Sequence, residues 1–192
     1  MQQLTGTRRA RSIRHMTTTQ DETRWRSLIR DVPDFPQPGI LFRDITPLLH
    51  DAQALRAVND ALAEQARTLD VDVVAGIEAR GFIFGVPVAE RLRVPFVPLR
   101  KPGKLPGEAA TVSYDLEYGT ATLEAHRDPS IAGRRVLVVD DVLATGGTAA
   151  AAAQLIEALG GVVAGFAFCI ELGALGGRAR LGGRPVAALI AF

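Results

Sequence analysis

The stretch VLVVDDVLATGGTAAA, residues 136–151, constrains the fold more than any other part of the chain. Its first four residues are apolar and read as buried strand, Asp140 and Asp141 follow at once, and a small Gly/Thr turn then runs into alanine-rich helix. A strand–turn–helix unit of this kind belongs in an open, mainly parallel sheet, whose ligands bind beyond the carboxyl ends of the strands. Two adjacent carboxylates repel each other there, and a cationic partner or sugar hydroxyls would turn that repulsion to use. The turn LATGGT offers consecutive backbone N–H groups, the Thr145 and Thr148 hydroxyls and two glycines that let a phosphate approach closely. A monophosphate fits it, whereas the lysine of a nucleoside-triphosphate loop is missing.

The rest of the chain alternates in the same way. Short β-branched runs begin at Val71, Val94, Arg135, Val162 and Pro185. Between them, Leu55, Val58, Leu62, Ala66 and Leu69 repeat at spacings of three and four, which predicts a helix over 51–69 with Asp51 as N-cap. Further helices are predicted over 81–92 and 148–159, the latter stopped by Gly160 and Gly161. Two regions break the pattern. Residues 31–50 hold four prolines, which exclude a regular helix or a central strand, yet Phe35, Ile40, Leu41 and Phe42 give this loop an apolar surface that should lie against something. Residues 100–125 read as a basic turn followed by two alternating strands, a hairpin flap.

At 192 residues the chain suits one domain over 21–192, with residues 1–20 as a disordered extension. Four arginines, Arg8, Arg9, Arg11 and Arg14, precede the first acid; without them the formal charge of +1 turns mildly acidic, which argues against a nucleic-acid surface. The absence of an apolar run of membrane-spanning length argues against a membrane partner, and the cytoplasm is the expected compartment. The single cysteine, Cys169, excludes an internal disulfide and a multi-cysteine metal site, and its apolar neighbours place it in the core.

The run of strand, paired acids, small polar turn and helix resembles the phosphoribosyl pyrophosphate signature of the type I phosphoribosyltransferases. Three further segments, DFPQPGILFRDITPLL, GIEARGFIFG and RKPGKLPG with YDLEYG, resemble successive blocks of the adenine phosphoribosyltransferase family, over roughly residues 30–182. The closing IELGALGGRARL is a weaker match. The resemblance implies a type I phosphoribosyltransferase fold: an α/β domain with a mainly parallel twisted sheet flanked by helices, a flexible β-hairpin flap and an N-terminal base-recognition loop. It also implies purine salvage, in which adenine and phosphoribosyl pyrophosphate give AMP and pyrophosphate, with Mg²⁺ carried mainly by substrate oxygens, no protein metal ligand, and a homodimer.

Residue by residue, the resemblance implies that Phe42 stacks on adenine, that main-chain groups of Leu41 and Arg43 read its edge, and that Leu172 forms a second wall. Asp140 and Asp141 would hold the ribose hydroxyls, and Ala144, Thr145, Gly146, Gly147 and Thr148 the 5-phosphate. Arg80 and Lys104, with Arg100 as a further candidate, would bind the pyrophosphate. Tyr118 would cover the site and Glu117 would handle the base proton, with Gly103 and Gly107 as hinges. The Glu78–Ala79 peptide is expected to be cis. The plainer alternative for Arg80 is an ion pair with Glu78 or a surface acid. Transfer to a different base, or a ligand-sensing regulator that has lost catalysis, are the competing functions.

Overall fold

Five parallel strands in the order β4-β3-β7-β8-β9 form the central sheet. The computed structural model describes residues 19–115, 120–127 and 131–192. Along the chain come α1 (Thr19–Ser27), β1 (Arg30–Pro33), β2 (Leu41–Asp44), α2 (Thr46–His50), α3 (Ala52–Ala66), β3 (Val73–Ile77) and α4 (Arg80–Leu92). After these come β4 (Phe96–Leu99), β5 (Ala109–Asp115), β6 (Thr120–His126), β7 (Arg135–Leu143), α5 (Gly147–Ala158), β8 (Val162–Glu171) and β9 (Val186–Ala191). The five apolar runs of the sequence are the five sheet strands, and the three long helices lie where the periodicity puts them. Of the expected extension 1–20, Thr19 and Gln20 open α1; the remainder lies outside the described residues.

Alternation along the strands divides the core in two. Val136 and Val138 of β7 pack with α5, whereas Leu137 and Val139 pack with α3 and α4. Asp51 caps α3 as expected, its carboxylate accepting from the backbone N–H groups of Gln53 and Ala54 at 3.0 and 2.9 Å. Within the predicted stripe, Val58, Leu62 and Ala66 are buried, while Leu55 and Leu69 are only half-buried at its rim. Cys169 is fully buried, and burial first, then the charge of Asp141, pushes its thiol up to about 12.

The four-proline segment is more ordered than a loop. β1 and β2 pair antiparallel as a ribbon separate from the central sheet, and Pro47 sits in the first turn of α2, where its missing N–H costs nothing. The expectation that its apolar surface lies against something is not met: Phe35, Ile40 and Leu41 are 51%, 37% and 46% exposed. The flap strands β5 and β6 pair over their whole length, and at their base Ala110, Leu123 and Ala125 are buried in the core on the α5 side. Burial of Leu123 alone is worth roughly 1.5–3 kcal/mol, so the hairpin is tied down at its foot.

Candidate active site

The aspartates do not close β7; the strand runs on for two residues beyond them. β3 stops pairing at Val139, but β8 continues alongside β7 as far as Leu143. Asp140 and Asp141 therefore sit where the sheet has lost one neighbour, and the gap is the floor of the site. The start of α4 crosses it closely: a Cβ on Gly81 would come within 2.6 Å of the Val139 carbonyl oxygen and 3.1 Å of Asp140 Oδ1. Asp140 Oδ1 also accepts from the Asp141 backbone N–H at 2.9 Å. Burial, and then the adjacent Asp141 charge, holds the Asp140 carboxyl well above the usual carboxylate range.

Asp141 has a side chain only 5% exposed and forms an ion pair with Arg80 Nε. Arg80 is thus paired, but with the buried Asp141, not with Glu78 or a surface acid as the plainer alternative had it. A guanidinium has five N–H donors, and among the described residues the Nη groups of Arg80 have no hydrogen-bond partner. The Arg80 side chain is half exposed, and its guanidinium carbon lies 6.0 Å from the centre of the Phe42 ring.

Two cavities meet at this floor and share Arg80, Asp140, Asp141 and Thr148. The first, about 350 Å³, is a slot between the β2 ribbon (Ile40, Leu41, Phe42 and Arg43) and the segment after β8 (Leu172 and Leu175). Its far end is the turn Ala144–Thr148 at the start of α5, where the N-cap is a glycine, Gly146, and the N-terminal end of the helix gives that end of the cavity a polarity that suits an anion. Gly146 has φ of +80°, open to glycine at little cost, and a Cβ there would strike the Gly177 carbonyl. The weakly matching segment around Gly177 is thus the buttress of the turn. Leu175, half exposed on the slot wall, and Gly177 were not expected; their signal was the unusual glycine density of 173–177.

The second cavity, about 690 Å³, lies between the Ile77–Arg80 segment and the flap, with Lys101, Pro102 and Thr122 on its far wall. The Glu78–Ala79 peptide is cis, as expected, and so is Phe35–Pro36, which was not. Glu78 holds the basic turn in place: its carboxylate accepts from Arg100 Nε at 3.0 Å and from the Lys101 backbone N–H at 2.8 Å. Those two bonds, the guanidinium first, keep the Glu78 carboxyl below its usual range. Glu124 secures the other side through the Gly103 N–H at 3.0 Å. Arg100 is therefore engaged as an anchor. Lys104 is exposed and lines neither cavity, because the turn 101–104 presents Lys101 to it instead. Glu117 and Tyr118 lie outside the described residues.

Against known proteins, residues 45–179 match the phosphoribosyl transferase domain family. An adenine phosphoribosyltransferase of Gloeobacter violaceus is 60% identical over 165 residues, covering 85% of this chain and 96% of that protein. The chain belongs to the adenine phosphoribosyltransferase family. It is a transferase, and the crystal structure of the Thermoanaerobacter pseudethanolicus adenine phosphoribosyltransferase superposes with a TM-score of 0.86 at 50% identity, covering 88% of this chain and 99% of that one. The Saccharomyces cerevisiae enzyme, 38% identical with a TM-score of 0.83 over 90% of this chain and 100% of that one, was crystallised with an imino-altritol bisphosphate and adenine. The domain match begins at residue 45, just after the β1–β2 ribbon.

Proposed function

We propose that the slot takes adenine and that the floor and second cavity take phosphoribosyl pyrophosphate, so that the two substrates meet above Asp140 and Asp141. The reaction is purine salvage: transfer of the 5-phosphoribosyl group to adenine, giving AMP and releasing pyrophosphate. The observation that carries the placement is the sharing of Arg80, Asp140, Asp141 and Thr148 by two cavities of different lining, one walled by Phe42 and Leu172, the other by Lys101 and Arg80.

In this reading adenine lies between the Phe42 ring and Leu172. Among the described residues β2 has a strand partner on one edge only, so its other edge is available to read the base with the backbone groups of Leu41 and Arg43. A rigid donor and acceptor pair rejects a 6-oxo purine, because the wrong base leaves buried polar groups unpaired. The 5-phosphate accepts from the N–H groups of Ala144–Thr148 at the N-terminus of α5. Asp140 and Asp141 hold the ribose hydroxyls and favour positive charge developing at the anomeric carbon. Asp141 also fixes Arg80 through Nε, which aims the Nη donors at the pyrophosphate; Lys101 adds charge from the flap turn, with Lys104 of the same turn as the second lysine in reach. Glu117 and Tyr118 handle the base proton and exclude water.

The acids lining the floor are two adjacent carboxylates, and no cluster of three or more candidate ligands occurs among the described residues. That donor set suits Mg²⁺ brought in on substrate oxygens and its own waters, with Asp140 and Asp141 as the nearest protein oxygens. Bound with pyrophosphate, magnesium neutralises its charge and improves it as a leaving group. Ile83 and Val86, 36% and 50% exposed on α4 just past Arg80, support a homodimer built across that face. The phosphorylated substrate and product, which do not cross a bilayer unaided, support a cytoplasmic location; among the described residues no helix is long and apolar enough to cross a membrane.

The test is product formation with adenine, guanine, hypoxanthine and orotate in parallel, each with phosphoribosyl pyrophosphate and Mg²⁺. AMP from adenine with little product from the others is expected. Equal rates for adenine and hypoxanthine would overturn edge reading by the β2 backbone. Tight binding of the sugar donor without turnover would favour a sensor.

A further inference from the structure

We infer that Phe192 is a positioning residue that sets the width of the adenine slot by coupling its two walls; the inference rests on the assignment of that slot to adenine. The ring of Phe192 contacts two guanidinium groups, with the Arg43 carbon 4.0 Å and the Arg26 carbon 4.5 Å from its centre. Both distances are within the range in which a cation is held by an aromatic face. Arg43 belongs to β2, and its guanidinium also pairs with Asp31 of β1, so the contact grips both strands of the ribbon that carries Phe42. Arg26, on α1, bonds the Ala191 carbonyl, next to Phe192 in the chain, as well as contacting the ring.

The backbone of Phe192 holds the opposite wall. Its N–H donates to the Glu171 carbonyl at 2.8 Å, and its carbonyl accepts from the Gly173 N–H at 2.8 Å. These two bonds bracket Leu172, whose own N–H donates to the Leu143 carbonyl at 2.9 Å. One residue thus fixes Leu172 by its main chain and the Phe42 ribbon by its ring. The ribbon has few other ties on this side: it stands apart from the central sheet, and Phe35, Ile40 and Leu41 are exposed. The guanidinium of Arg43 is thus engaged by the Phe192 ring and Asp31, which leaves its main chain for the role proposed for it at the base.

A positioning role of this kind is specific to one substrate. Loosening the ribbon moves the base-reading edge and leaves the phosphate turn and the floor where they are. Phe192→Leu keeps an apolar side chain of similar bulk and all the backbone bonds but removes the π face. It is expected to raise the KM for adenine about tenfold with the KM for phosphoribosyl pyrophosphate within about twofold of wild type. Phe192→Tyr, which keeps the ring, restores the adenine KM. Arg26→Gln, which removes one of the two cations and leaves the ring and Arg43 in place, serves where Phe192→Leu folds poorly by thermal melting; it raises the adenine KM about threefold. Equal adenine KM values for the Leu and Tyr variants, or parallel rises for both substrates, would overturn the coupling. Phe42→Ala is measured alongside: if it too leaves the adenine KM unchanged, the slot assignment itself fails, whereas a large rise with Phe42→Ala and none with Phe192→Leu or Arg26→Gln removes only the role of Phe192.

Discussion

Gly177→Ala tests whether the phosphate turn owes its shape to a segment that touches no phosphate. Gly177 is buried, and its φ lies outside the left-handed region, so alanine meets no backbone strain there. The conflict is steric. A Cβ would run into the Ala144 carbonyl oxygen, and would lie 2.9 Å from Leu143 Cδ1 and 3.1 Å from the Gly146 nitrogen. The leucine can rotate aside, but the carbonyl is main chain and must retreat by about 1 Å to reach ordinary contact distance. Ala144 opens the turn proposed to hold the 5-phosphate, and a displacement of about 1 Å in a positioning element costs on the order of 100-fold in rate. The expected result is therefore a loss of about 100-fold in kcat/KM for phosphoribosyl pyrophosphate, equivalent to about 2.7 kcal/mol of transition-state stabilisation. Overpacking of this size costs roughly 1–3 kcal/mol of stability, and about 2–4 °C in Tm for each of them. Steady-state kinetics with varied sugar donor and a thermal melt give both numbers. A variant within about threefold of wild-type kcat/KM, with an unchanged Tm, would refute the reasoning, since the turn would then hold its shape without the Gly146–Gly177 packing.

Asp140→Asn should stabilise the free enzyme while crippling it. Because the Asp140 pKa is raised in the folded protein, the unfolded chain ionises first, so this carboxyl lowers stability as pH rises above its ordinary value near 3.8. The Tm gained by the asparagine variant should accordingly be absent at about pH 3.5 and grow toward pH 7; a gain independent of pH would contradict it. Glu78→Gln removes the charge that holds Arg100 and the Lys101 backbone, and should raise the KM for phosphoribosyl pyrophosphate about fivefold while sparing that for adenine. The wild-type pairing at Glu78, an acid with a lowered pKa, contributes stability above its ordinary range that is lost as pH falls through the lowered value. Native Cys169 should resist iodoacetamide at pH 8, since its thiol is buried and held up to about 12, and react only on unfolding; rapid labelling of folded protein would place it outside the core.

Local rules were enough for the frame. Runs of β-branched residues mark all five sheet strands, spacings of three and four mark α3, and Asp51 marks its cap, because burial and capping act on residues close in sequence. The chemistry of the site was legible for a related reason: the acids, the turn and the helix start of 140–148 are contiguous, so one segment carries most of the donors. What joins distant segments was not. Asp141 and Arg80 are 61 residues apart, and nothing in either neighbourhood selects Asp141 over Glu78 as the partner; the loss of β3 alongside β7 does so by letting α4 cross the gap. The turn 101–104 decides that Lys101 rather than Lys104 lines the second cavity, and backbone geometry of that kind is written in no single side chain. The apolar tip of the ribbon stays exposed against local expectation, and only the tertiary structure sets its Ile40 and Leu41 in one cavity lining with Leu172 and Leu175, more than 100 residues further along. Sequence determined which groups the protein has to offer; tertiary structure decided which of them meet, since only packing fixes distances between parts of the chain that local preferences cannot connect.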